Sequence, residues 1–232
     1  MMRQSISKKK IYFYLLILFI LSSTFNFNIV SKFKKLNLIT QININGLTEK
    51  EKNLLEKDLD ILIDKNIFLI SKQEIGKRIE QNSFLDNYNI VKVFPSKLLV
   101  NVQKTKFIGK TILNGEKFYI GENGKFTKIF LVEKEYNLPQ VFGGFDINQL
   151  LKLQEILDSN GFNLNEIKKY YYYKSDRWDI ENNDNTILML PSYDVEKSLI
   201  NYQSLLKANE IMPGKLIDLR MKNKIILTSE KR

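Results

Sequence analysis

The residues best able to do chemistry lie close together late in the chain: Asp176, Asp179, Glu181 and Asp184, with Asp218 and Arg220 further on. Neighbouring carboxylates can bind a metal or share a proton only if their side chains converge. Here Asp179 and Glu181 share one face of a strand, while Asp184 falls in a turn. The group therefore reads as a solvated hairpin, and Asp218 with Arg220 as a local surface pair. The chain has no His and no Cys. That removes the usual base near neutral pH, the commonest metal ligand, the thiol nucleophile and any disulfide. No catalytic residue, metal site or cofactor is expected. Tyr170 to Tyr173 form an aromatic run. Strand alternation sends Tyr171 and Tyr173 to one face and Tyr170 and Tyr172 to the other. One pair is expected in the core, and the other is a candidate partner surface, where Tyr is enriched.

The elements that hold these residues follow from pattern. Leu38 to Ile44 reads as a strand ended by Gly46. Thr48 to Glu51 and Ser71 to Glu74 each have capping-box spacing ahead of a helix, the first with Leu55, Leu59 and Leu62 on one face. Strands are expected at Asn87 to Val93 and Lys97 to Gln103, split by Pro95. Asn114-Gly115 and Asn123-Gly124 then turn a three-strand meander over Phe107 to Leu113, Lys117 to Gly121 and Lys125 to Phe130. Asp146 caps a helix carrying Leu150, Leu153 and Leu157, which Asn160-Gly161 ends. Strands follow at Ile167 to Tyr173, Arg177 to Glu181 and Thr186 to Leu190, then a helix with Val195, Leu199, Tyr202 and Leu206 on one face. A last hairpin joins Lys215 to Met221 with Lys224 to Thr228.

At the other end, a basic tip (Arg3, Lys8, Lys9, Lys10) precedes an apolar segment from Ile11 to Val30. As a helix it would span about 30 Å, one hydrocarbon core. With no A-x-A cleavage signal, it reads as a retained anchor rather than a cleaved signal peptide. Lysines on both sides, including Lys32, Lys34 and Lys35, leave a slight charge bias toward a cytoplasmic N-terminus. The net charge of +10 is scattered along the chain, not gathered into an aromatic-lined stripe, so nucleic acid is not expected.

Taken in order, these pieces resemble the FtsQ/DivIB family of bacterial cell-division proteins. Ile42-Asn43-Ile44-Asn45-Gly46-Leu47, Asn66-Ile67-Phe68 and Val91 to Leu98 look like that family's POTRA domain. Phe118 to Gly124, Leu138 to Gly144, Arg177-Trp178-Asp179-Ile180, Leu190-Pro191 and Ile217-Asp218-Leu219-Arg220 look like its β domain. Two positions depart from the family pattern. Gln103-Lys104 stands where relatives carry an acidic-basic pair, and Gly121 where Asp is common.

The resemblance implies an α+β chain: one N-terminal transmembrane helix, a POTRA-like β-α-α-β-β module, then a mainly antiparallel β domain with two helices. The expected divisions are a cytoplasmic tail at 1–10, a transmembrane helix at 11–30, the POTRA-like module at 36–105, the β domain at 106–228 and a tail at 229–232. It implies a non-catalytic scaffold of the divisome in the inner membrane at the septum, with the bulk of the chain extracytoplasmic. Its partners would be FtsB and FtsL, added as strands to the C-terminal edge of the β domain. The partner-binding residues carried over are Arg177, Arg220, Met221, Asn223 and Lys224. Ile226 joins them as an outward-facing position of an open edge, which leaves backbone groups free to pair with a partner strand. The alternative is a membrane-tethered or exported cell-wall hydrolase using carboxylates. A secretion-pathway POTRA protein would need a membrane barrel, for which the chain leaves no room.

Overall fold

The computed structural model describes residues 8–23, 37–207, 215–222 and 224–228. The first element, α1 (Lys8–Ser23), is apolar around its whole circumference, with Leu18, Phe19 and Leu21 all exposed. It begins at Lys8, inside the expected tail. No helix among the described residues is long and apolar enough to cross a membrane. Residues 24–30 of the expected span lie outside the described residues.

The first folded module is β1 (Gln41–Asn45), α2 (Glu49–Leu59), α3 (Lys72–Ile79), β2 (Leu85–Val93) and β3 (Lys97–Lys104). This is the expected β-α-α-β-β order. Its sheet runs β1-β3-β2, with β1 parallel and β2 antiparallel to the central β3. The first strand begins later than expected, and Leu38 instead bridges to Asn66. Gly46 ends β1 for a steric reason. It has φ +99°, and a Cβ there would lie 2.0 Å from the Val102 carbonyl oxygen. Leu55 and Leu59 of α2 and Ile75 and Ile79 of α3 are buried with Ile44, Ile90, Leu98 and Val100 of the sheet. Each such side chain contributes roughly 1.5–3 kcal/mol by leaving water.

The Thr48 capping box is present, with the Glu51 carboxylate accepting from the Thr48 N–H at 3.4 Å. The Ser71 box is only half made. Ser71 Oγ accepts from Glu74 N at 3.0 Å, while the Glu74 carboxylate turns to Lys65 at 3.7 Å. Gln103-Lys104 proves more than a departure from pattern, because Lys104 Nζ donates to fully buried Glu51. The same ammonium sits 5.6 Å and 5.4 Å from the ring centroids of Phe107 and Tyr136. It thus ties the first helix of the module to the start of the next region.

That region contains β4 (Phe107–Leu113), β5 (Glu116–Gly121), β6 (Phe126–Lys128), β7 (Gln140–Phe142), α4 (Ile147–Ser159), β8 (Ile167–Tyr173), β9 (Arg177–Asn182), β10 (Ile187–Met189), α5 (Val195–Lys207), β11 (Leu216–Asp218) and β12 (Ile226–Thr228). Among the described residues they form one nine-stranded sheet, ordered β12-β11-β10-β9-β8-β7-β4-β5-β6. The pairing is mainly antiparallel, with parallel joints at β10–β11, β7–β8 and β4–β7. The short strand β7 was not expected: three residues with only Val141 buried leave no readable period. Leu150, Leu153 and Leu157 of α4 and Leu199 and Tyr202 of α5 pack on Val141, Tyr170, Ile180, Leu188 and Ile217. Leu206, expected on that face of α5, is exposed. Phe107, Tyr119 and Val132 belong to the core of the first module, so the two regions share packed surface. Asn123 Nδ2 adds bonds to the Ser83 and Leu85 carbonyls at 3.0 and 2.9 Å.

Candidate partner-binding surface

Strand register decides which residues share the face of the large sheet opposite α4 and α5. One row runs Phe142, Tyr171, Asp179, Met189, Asp218, Ile226. A second runs Gln140, Lys169, Glu181, Ile187, Leu216, Thr228. The alternate row, Val141-Tyr170-Ile180-Leu188-Ile217, is the one buried against the helices. The tyrosine run therefore divides as alternation requires. Tyr170 is fully buried and Tyr172 packs on the core, while Tyr171 and Tyr173 lie on the open face.

The acidic group is not a solvated hairpin. Asp179 is 3% exposed and Glu181 8%. The cross-strand partners of the β8–β9 hairpin cover them. Lys169 holds both Glu181 oxygens at 3.0–3.1 Å, Lys168 approaches at 3.4 Å, and the Tyr171 hydroxyl donates at 3.0 Å. Arg177 Nε meets Asp179 Oδ1 at 3.3 Å while its guanidinium lies 4.3 Å from the Tyr173 ring centroid. Arg220 grips Asp218 with two side-chain bonds, at 2.8 and 2.5 Å, and its backbone N–H adds a third at 2.9 Å. The other two acids point elsewhere: Asp176 accepts from Tyr172 and Asp184 from Thr186.

Charge states follow these contacts. The Arg220 bonds hold the Asp218 carboxyl below its ordinary value, and Asp218 in turn raises the Arg220 pKa. Burial pushes Asp179 upward against the pull of Arg177. Burial also pushes Glu181 upward, but the bonds from Lys169 and Tyr171 outweigh it and leave its pKa lowered. Each acid on the face already holds a cation, so the surface suits electrostatic recognition rather than proton transfer. Among the described residues no cluster of three or more acidic, His or Cys side chains could hold a metal.

The structure brings some expected site residues together and separates others. Arg177 opens β9 and Arg220 lies two residues beyond the end of β11, the two strands being separated by β10, and each arginine lies within electrostatic reach of the other's aspartate. Ile226 sits in the same row as Asp218 and is 47% exposed. Met221 is exposed. Lys224 is not part of the last strand, which starts at Ile226. It is exposed, and its N–H closes a turn onto the Met221 carbonyl at 3.2 Å. Asn223 lies outside the described residues. Strand β12 pairs with β11 on one side only, so it is the terminal strand of the sheet among the described residues. Sequence reasoning missed the stack of Phe142 on Tyr171, with centroids 5.1 Å apart, and the Lys169–Glu181 pair. The second was readable from the register that a turn at 174–176 imposes.

A small module of three strands and two helices is thus joined to a large sheet with one open face, in which β12 and β6 are the two terminal strands among the described residues. Residues 38–104 match the FtsQ-type POTRA domain family, and residues 112–220 match the C-terminal domain of cell division protein FtsQ/DivIB. The chain belongs to the FtsQ/DivIB family of cell division proteins. It is 26% identical over 100 residues to cell division protein DivIB of Staphylococcus aureus (strain NCTC 8325 / PS 47), a stretch covering 43% of this chain and 23% of that protein. The chain thus spans less than a quarter of the length of that relative. It also overlaps the solved major extracytoplasmic domain of the trans isomer of DivIB from Geobacillus stearothermophilus. That overlay has a TM-score of 0.32 and 16% identity, over 47% of this chain and 96% of that one. At a score that low it fixes no correspondence of parts.

Proposed function

We propose that this chain is a non-catalytic, membrane-anchored scaffold of the bacterial division complex, which binds other division proteins at the septum and links early to late components. Residues 11–30 would hold it in the inner membrane with the N-terminus cytoplasmic and the bulk extracytoplasmic. The exposed apolar side chains on all sides of α1 support that reading, since such a helix needs an apolar surround. The POTRA module would recruit the protein, and β12 would accept a strand from a single-span partner of the FtsB or FtsL kind.

The observation that carries the binding site is the place of β12. It ends the large sheet, and Ile226 extends the row containing Asp218 and Asp179. A strand added there would gain backbone hydrogen bonds from the edge and side-chain choice from Arg220, Arg177 and Met221 beside it. The hydrolase alternative gains no support, because each buried carboxylate of the face is already paired.

The test is partner affinity of the full chain in detergent, for wild type and for Ile226→Pro and Ile226→Ala. Proline removes a backbone donor and fixes φ. Loss of one or two backbone bonds would cost roughly 1–3 kcal/mol, or about 5- to 150-fold in affinity. Alanine should cost less, and circular dichroism should show both variants folded. Undiminished binding by a folded proline variant would move the partner elsewhere, with the Tyr171–Tyr173 strand next in line.

A further inference from the structure

The POTRA module carries an apolar tip that no described element covers. Phe68 and Phe94 stack with centroids 4.5 Å apart, and they are 58% and 54% exposed. Leu69 beside them is 85% exposed, and Val93 at the end of β2 is 42% exposed. Folding left this surface in water, which is unfavourable unless something else covers it.

The position of the tip says what that is. The chain emerges into the module at Asn37, whose carbonyl accepts from the Ile67 N–H at 2.8 Å. Leu38 bridges to Asn66, and Thr40 N bonds the Ser96 carbonyl at 2.9 Å. Both loops of the tip, at Phe68 and at Phe94, therefore start from backbone that clasps the arriving chain. Residues 31–36 are all that separates Asn37 from the expected end of the apolar span at Val30. Six residues reach at most about 20 Å even when fully extended.

The charge around the tip fits the same surface. Lys72 follows the Phe68 loop at the start of α3, and Lys97 follows the Phe94 turn at the start of β3. Neither lysine forms an ion pair among the described residues. Lys92 Nζ reaches across to donate to the Ile70 carbonyl, bracing one loop against the other.

We propose that Phe68, Leu69 and Phe94 dip into the outer face of the bilayer, so that the module docks on anionic lipid rather than swinging free on its tether. The lysines would sit at headgroup level and the rings just below it, as amphipathic membrane-surface elements do. This rests on the anchor reading of residues 11–30. Docking would also fix the height and orientation of the large sheet, and so the height at which β12 meets a membrane-bound partner.

The absence of Cys allows single-site labelling. Leu69→Cys, Leu16→Cys and Lys174→Cys would each carry one nitrobenzoxadiazole probe on the full chain. Each would be reconstituted in phosphatidylethanolamine/phosphatidylglycerol vesicles containing shallow- or deep-doxyl lipid. The expected result is a blue shift and quenching by the shallow lipid at Leu69, quenching by the deep lipid at Leu16, and neither at Lys174. Adding Phe68→Ser and Phe94→Ser to the Leu69 probe should abolish its quenching without changing the circular dichroism, since both rings are exposed. Replacing the anionic lipid by phosphatidylcholine should weaken it. Quenching at Leu16 but not Leu69 would overturn the docking and leave the anchor standing. No quenching at either site would overturn both. A blue shift at Leu69 without doxyl quenching would assign the tip to a protein contact and overturn membrane docking.

Discussion

The two folded regions both bury carboxylates, and they do so in opposite ways. In the POTRA module Glu51 is fully enclosed at the start of α2, and one cation, Lys104, reaches it from the end of β3. In the large domain Asp179, Glu181 and Asp218 lie on an open sheet face, screened only by the Arg, Lys and Tyr side chains of neighbouring strands. The enclosed pair cannot be re-partnered without unfolding the junction between the regions. The open pairs can be, because their cations are partly in solvent: Arg220 is 39% exposed at its side chain, Lys169 29% and Arg177 22%, against 18% for Lys104. One arrangement serves integrity and the other suits recognition, where an arriving acidic or basic strand can exchange ion pairs instead of creating them.

The largest effect should come from breaking the enclosed pair. Lys104→Met keeps the apolar stem but leaves Glu51 buried without its cation. Removing one partner of a buried pair typically costs about 3–5 kcal/mol. Urea denaturation should show that loss, and Glu51→Gln combined with Lys104→Met should recover much of it. A loss below about 1 kcal/mol, the range of exposed pairs, would erase the contrast between the regions.

Arg220→Ala tests the open face. It removes two charge-assisted bonds from Asp218, and a part-exposed site places the cost at the lower end, about 1.5 kcal/mol. The pH dependence sharpens this. The folded Asp218 pKa is held below its ordinary value of 3.8, and Glu181 is likewise held below 4.5. Their stabilisation is therefore full above those ordinary values and lost as pH falls through the lowered ones. Asp179 is raised by burial and works in the opposite direction. Removing Arg220 should flatten the stability profile below about pH 4. It should also change partner association more than Lys104→Met does once folding is restored. An unchanged acid profile would show that Arg220 does not set the Asp218 charge.

The smallest effect is expected at Lys128, which meets Glu116 at 2.9 Å with both side chains substantially exposed. Lys128→Ala should change stability by no more than about 1 kcal/mol. Its value is as a baseline: both preceding variants should lower the denaturation midpoint further than it does.

Local order was legible in the chain wherever one element carries its own signal. The Thr48 and Asp146 caps, the glycines at 46 and 161, the two Asn-Gly hairpins and the leucine faces of α2 and α4 all fell where spacing puts them. These depend on contacts within a few residues, which period and cap chemistry encode directly. Tertiary structure alone decided the rest. The short strand β7 exists because β4 and β8 offer it parallel partners, not because Gln140–Phe142 favours strand. Asp179 and Glu181 look solvated in sequence, but neighbouring strands close over them. Lys104 looks like a broken pair until α2 brings Glu51 against it. The same holds at the apolar tip of the POTRA module and at the β12 edge. Phe68 and Phe94 are 26 residues apart in the chain, and only folding stacks them beside the arriving backbone. The sequence alone determined which residues could form each helix and hairpin. Which surfaces stay open, and which charges face one another there, depends on contacts between distant segments, and no local pattern records those.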